Sequence, residues 1–240
     1  MDPSVKWFAL GAGIFVVLLV WILLKGAMSG RRRAAAIKEW AFRNGMSYVE
    51  GPVDVESVAK IPQDETPDNL VSRKAWNVVS GRRDRFDVTI FDLHQTTGGR
   101  NTNTRTYTTK TLAILKLPDP LPPFRFLALG DMKPGSFGAS MLGAVERLAM
   151  NIDGGKHGTP IDIPDHPSLM LLSRDPDATR ALFTPAVIDY FVQHGGYGVT
   201  TDGTSMMVDR SQTRTIASVE QIERLVNDAT SIAQQFHSGF

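Results

Sequence analysis

Hydrophobic and polar positions change period several times along this chain, and the changes mark its elements. From Trp7 to Leu24 there is no period: the run holds no charged or amide side chain and stands between Lys6 and Lys25. As a helix it would cover about 27 Å, close to the ~30 Å hydrocarbon core of a bilayer. It exceeds the roughly 7 to 15 apolar residues of a signal peptide, so a transmembrane helix is expected over residues 7–25. A period near 3.6 follows: Ala34, Ile37, Trp40 and Ala41 share one face of a helix expected from Arg31 to Asn44, with Gly45 as its stop.

The pattern then shifts to a period of two. Met46 to Val49, Ala75 to Ser80, Arg85 to Gln95, Thr106 to Leu117 and Phe124 to Leu129 read as strands, and a polar turn from Thr96 to Arg105 joins two of them into an antiparallel hairpin. Gly51 to Leu70, with prolines at 52, 62 and 67, reads as a loop. Helical spacing returns at Ser140 to Met150, after a glycine-rich connector from Gly130 to Gly138. The stretch Asn151 to Pro167 reads as a loop and Leu169 to Leu172 as a buried strand. Asp175-Pro176 and Thr184-Pro185 place an N-cap before a proline, which predicts two short helices. Asp202-Gly203 predicts a hairpin turn. Ser218 with Gln221 forms a capping box ahead of a final amphipathic helix.

These elements predict an α+β fold, with an N-terminal transmembrane helix before a mainly antiparallel sheet and packed helices. The expected division is a short external segment 1–6, a span 7–25, a basic juxtamembrane helix 26–45 and a cytoplasmic domain 46–240. Within that domain, 46–130 is β-rich and 139–240 helix-rich.

Charge sharpens the picture. The 240 residues carry a net charge of only +1, but residues 25–43 sum to +5, 44–72 to −5, 73–125 to +6 and 126–240 to −5. The cations after the apolar run, Lys25, Arg31, Arg32 and Arg33 among them, place the following domain in the cytoplasm of a bacterial inner membrane by the positive-inside rule. The same side chains, with Trp7 and Trp21, are expected to touch membrane and anionic lipid headgroups. Ala9 and Gly13 give that helix a small-residue face for packing against other integral membrane subunits. The basic middle block has no helix-turn-helix or RNP pattern, so no nucleic acid is expected.

The order of features resembles an uncharacterised family of bacterial single-pass membrane proteins. The resemblance rests on Trp40 to Tyr48, the SGRRDRFDVTIFD and TYTTKTLAILKLP strands, LPPFRF at Leu121 to Phe126, and Leu172 to Phe191. It implies the architecture above and brings no activity or catalytic residue. In outline only, without a shared motif, one span and one cytoplasmic domain are similar to the H-type subunit of photosynthetic reaction centres.

Candidate chemistry is sparse. The absence of cysteine excludes disulfides, cysteine-ligated zinc and a cysteine nucleophile. His157, Asp162, Asp165 and His166 are ligand types in a loop, without HExxH or facial-triad spacing. Asp92 and His94 share a strand face, with Asp87 on the other, and no nucleophile adjoins them. GxSxG and Gly-Lys-Ser/Thr motifs are absent. The hairpin tip, rich in threonine and carrying Arg100, Asn101, Asn103 and Arg105, is a candidate partner loop. No catalytic residue, cofactor or metal is assigned. The expected function is a non-enzymatic accessory or scaffolding subunit that stabilises an inner-membrane complex, photosynthetic or respiratory. The alternatives are a membrane-tethered regulatory or ligand-binding module and, behind it, a hydrolase or metalloenzyme.

Overall fold

The computed structural model describes residues 30–61, 69–98, 105–128, 158–166, 168–210, 215–216 and 218–237. Helix α1 (residues 30–43) leads into β1 (Ser47–Val49), β2 (Val53–Asp54) and the single turn α2 (Val55–Val58). Three long strands follow, β3 (Leu70–Arg83), β4 (Phe86–Gly98) and β5 (Arg105–Lys116), and then β6 (Phe124–Ala128), β7 (Thr159–Ile161) and β8 (Leu169–Ser173). Helices α3 (Pro176–Leu182) and α4 (Pro185–Gln193), the hairpin β9 (Tyr197–Thr201) and β10 (Ser205–Arg210), and α5 (Val219–His237) complete the order.

All strands join one antiparallel sheet in the order β1-β3-β4-β5-β10-β9-β6-β8-β7, with β2 also on β3. Alternation divides their side chains between two faces. On the first face Val88, Ile90, Ala113, Leu115, Phe126 and Val199 pack under α1, α4 and α5 in the main core. On the second, Ala75, Phe91, Leu93, Leu112 and Ile114 pack with Val55 and Ile61. Phe124, Phe126, Phe183, Phe191 and Phe236 meet edge to face, tilted or, for Phe183 with Phe191, stacked, with ring centroids 4.3 to 6.5 Å apart.

The end signals act as their chemistry requires. Asp175 accepts from the Ala178 N–H and Thr184 from the Val187 N–H, each with proline at the helix start. In the β9–β10 turn Asp202 Oδ1 accepts the backbone N–H groups of Thr204 and Ser205, and Ser218 accepts from the Gln221 N–H. Helix α1 docks through Ile37, Trp40 and Ala41, so it belongs to the domain core and is not a separate juxtamembrane element.

The expectation of a membrane-spanning helix, and with it the single-pass inner-membrane placement, is corrected. Among the described residues no helix is long and apolar enough to cross a membrane. The longest, α5, is amphipathic, burying Ile222, Leu225, Val226, Ala229, Ile232 and Phe236 while Glu220, Glu223 and Arg224 face out. The apolar run that prompted the expectation lies outside the described residues, with Trp7, Ala9, Gly13, Trp21 and Lys25. So do the helix expected at 140–150 and the connector before it. The α+β class and the mainly antiparallel sheet stand.

Two further differences position the site. Strand β3 begins at Leu70, within residues expected to be loop, and so β3, β4 and β5 continue together as a three-stranded arm. A bulge between Trp76 and Val79 sets Asn77 and Val78 against the single residue Phe91, with Asn77 at φ 50°. The extra residue lets Ala75 and Val78 both enter the second core while Trp76 and Val79 face the first side.

Candidate functional site: a latched shelf on the sheet

Register fixes which side chains share the first face of the arm. Trp76, Asp92 and Thr111 form one row across the three strands. Lys74, His94 and Thr109 form the next, and Ser72, Thr96 and Tyr107 the third, with Arg105 opposite Gly98 beyond them. Val71 joins this face, since its Cγ2 lies 3.1 Å from where a Cβ on Gly98 would stand.

The first row is closed by an ion pair. Arg33, on α1, grips Asp92 through Nη1 to Oδ2 at 2.5 Å and Nη2 to Oδ1 at 3.0 Å. Asn77 Nδ2 donates to Oδ2 at 2.9 Å and Thr111 Oγ1 to Oδ1 at 2.7 Å, so a carboxylate only 3% exposed accepts four hydrogen bonds. Arg33 Nε donates to the Ile216 carbonyl at 2.8 Å, and the Ile216 N–H donates to Thr111 Oγ1 at 3.0 Å. Tyr48 OH donates to Asn77 Oδ1 at 2.9 Å, and burial pushes the Tyr48 hydroxyl above its ordinary pKa. The latch thus joins α1, four strands and the segment before α5. Space around it, bounded by Ile37, Val79, Ile90 and Ile222, does not admit a water-sized group. A carboxylate saturated in this way is a structural anchor; it has no lone pair directed at a substrate.

Beyond the latch the face opens. Trp76 is 36% exposed, Val71 53% and Tyr107 73%. These are three of the six exposed large apolar side chains among the described residues; Phe42, Val49 and Val192 are the others. His94 lies 5.7 Å from the Trp76 ring at a tilt of 43°, and desolvation lowers its pKa below the ordinary 6.5. Lys74 is held by Asp54 at 2.6 Å, and the Thr215 hydroxyl donates to the Thr109 carbonyl at 3.4 Å along one border. Trp, Tyr and Arg on an exposed rigid face are the residue types enriched at protein interfaces.

The sequence-derived candidates are thereby sorted. Arg31 and Arg32 are exposed on α1, whereas Arg33 is turned into the sheet and is not free for headgroups. Asp92 and His94 share a face as the period of two requires, and Asp87 is exposed on the other. Arg105 is exposed at the end of the shelf; Arg100, Asn101 and Asn103 lie outside the described residues. Asp162, Asp165 and His166 rim a cavity of about 390 Å³ beside β7 and β8, and His157 lies outside the described residues. Among the described residues no three His, Asp or Glu side chains are grouped to hold a metal ion.

A second polar cluster, on the first face under α5, escaped the sequence altogether. Tyr197 OH donates to Asp228, and Arg210 Nη2 donates to Tyr197 OH at 3.2 Å and to Asp228 Oδ2 at 3.4 Å. The guanidinium carbon lies 5.5 Å from the Tyr197 ring centroid. Burial first, and then the Asp228 carboxylate, push the Tyr197 hydroxyl up to about 12. The cluster ties α5 to the β9–β10 hairpin.

No family model matches the chain, and no curated protein matches it. Nothing in the fold points to a photosynthetic or respiratory assembly. Among solved structures, the crystal structure of the mycobacterial trehalose monomycolate transport factor A, TtfA, is similar over 87% of this chain and 94% of that one, with a TM-score of 0.47 and 14% identity. A likeness of that degree is noted and carries nothing about what this chain binds.

Proposed function

We propose that this chain is a non-enzymatic accessory subunit that stabilises a protein complex, and that it contacts its partner through the shelf formed by Val71, Trp76, His94, Arg105 and Tyr107. The observation that carries the reading is the gathering of half the exposed large apolar side chains on one face of the arm, next to a buried latch that holds the face in place. Contiguous apolar surface rimmed by polar groups marks contact sites, whereas single exposed side chains do not. The polar chemistry near the shelf supports contact more than catalysis, because the buried carboxylate of Asp92 is saturated by Arg33, Asn77 and Thr111.

The test is photo-crosslinking in the native cell. A benzoylphenylalanine in place of Tyr107 should yield one crosslinked species of defined mass. The same group in place of Val192, exposed on α4, should yield none. Equal products at both positions, or none at Tyr107, would refute the assignment of the shelf. Tyr107→Ala should lower recovery of the partner while changing stability by under about 1 kcal/mol, since that side chain is 73% exposed.

A further inference from the structure

Resting on that assignment, we infer the chemistry of the partner: an extended protein segment with an apolar centre and acidic residues at both ends. Cations bound the shelf along its length. Arg31 and Arg32 stand at the latch end, one and two residues from the Arg33 that reaches Asp92. Arg105 stands at the other end, paired in register with Gly98. Among the described residues none of these three has a carboxylate within salt-bridge distance. The nearby charges are already matched, Asp92 by Arg33 and Lys74 by Asp54. The shelf therefore presents cations at its two ends, and an exposed carboxylate, that of Glu50, stands beside Tyr48 at the latch.

The spacing sets the length of the segment. From Asp92 to Gly98 the strand advances six residues, about 20 Å at 3.3 Å each. A partner in extended conformation spans that distance with about six residues. Trp76, Val71 and Tyr107 lie in the interval and meet its apolar side chains, while Thr96 and Thr109 offer hydroxyls to its backbone. Three cations at the ends of a flat sheet suit a short acidic segment. A nucleic-acid strand places a phosphate at every nucleotide and draws on six to ten neutralising contacts.

The full-length chain tests this with four labelled probes, followed by fluorescence anisotropy. One peptide has two glutamates at each end of a Leu-Phe-Val-Leu centre; two others carry glutamine or lysine in place of glutamate; the fourth probe is a twelve-residue oligothymidylate. The glutamate peptide should bind about tenfold tighter than the glutamine peptide at low salt, the sum expected of three exposed charge pairs. That gap should close in 0.5 M salt. Arg105→Glu should remove about threefold of the gap or more without affecting the glutamine peptide, and Tyr107→Ala should weaken both. Failure of the glutamate peptide to bind overturns the inference, as does equal or tighter binding of the glutamine peptide, the lysine peptide or the oligonucleotide. An unchanged gap in Arg105→Glu does so as well. A crosslink at Tyr107 together with any of these results would leave the shelf as a contact surface and discard the acidic partner. Absence of that crosslink would discard both.

Discussion

Replacing Arg33 by alanine is the sharpest test of how the domain is held together. The change removes two of the four hydrogen bonds to Asp92 and its only counter-charge, and leaves a carboxylate 3% exposed in a space closed to water. Breaking a buried pair by deleting one partner costs about 3–5 kcal/mol, because the remaining charge is uncompensated. Total stability of a domain is about 5–15 kcal/mol, so this one substitution takes away a large fraction. At about 2–4 °C per kcal/mol for a chain of this size, the melting temperature should fall by about 10 °C. Arg43, whose contact with Glu39 at 3.8 Å is fully on the surface of the same helix, provides the control: Arg43→Ala should cost under about 1 kcal/mol. Urea unfolding followed by tryptophan fluorescence measures both, with Trp40 on the buried face of α1 as an internal reporter. Replacing the whole pair, Arg33→Met with Asp92→Leu, should recover part of the loss, since no buried charge remains while Asn77 and Thr111 lose their acceptor. Equal small effects for Arg33→Ala and Arg43→Ala would refute the latch.

The backbone supplies a second contrast: Gly158 and Gly196 both have φ near +90°, but a Cβ at Gly158 would stand 2.2 Å from the Ser173 carbonyl, whereas at Gly196 nothing lies within 4 Å. Gly158→Ala should therefore cost about 2 kcal/mol or more and Gly196→Ala only about 1, read as shifts in urea midpoint; equal costs would contradict the close approach. Tyr197 titrates near 12 in the fold against 10 when unfolded, so its contribution to stability is complete below pH 10 and is lost as pH rises from 10 through 12. Absorbance at 295 nm should show its tyrosinate appearing last, and Tyr197→Phe should delete that final step. His94 has the opposite sign: its pKa in the fold is lowered by desolvation, so stability is complete above about 6.5 and declines as pH falls below it. His94→Gln should flatten the decline in unfolding measurements between pH 7 and 5.

Local structure was legible wherever local chemistry decides it. The helical spacing of Ile37, Trp40 and Ala41 foretold the face that α1 buries, and the two Asp/Thr-Pro pairs foretold the starts of α3 and α4. Asp202-Gly203 foretold the β9–β10 turn. Strand β3 was missed from Leu70 to Lys74 because polar, exposed residues there carry no alternation of their own; pairing with β4 makes them a strand. Strand β7 was missed because Pro160 reads as loop, yet an edge strand tolerates proline. The latch was out of reach for a different reason. Arg33 and Asp92 are 59 residues apart, and each is an ordinary surface residue until the sheet brings them together. Asp92 and His94 were correctly given one face, but which face a helix covers depends on contacts distant in sequence, such as Arg33 with Asp92.

The position where the cover stops connects stability to the proposed contact. Arg33, on α1, closes the covered side of the row of Trp76, Asp92 and Thr111 by binding its central residue. In the rows beyond it Val71 and Tyr107 are exposed while their backbones continue the same hydrogen-bonded ladder. A partner segment landing there meets strands already paired and aromatic side chains already placed, and little ordering is left to oppose binding. Arg33→Ala should then weaken the glutamate peptide even under conditions where the variant remains folded, because the row next to Trp76 loses its anchor. A folded Arg33→Ala variant with unchanged peptide affinity would separate the latch from the shelf and make Asp92 a matter of stability alone.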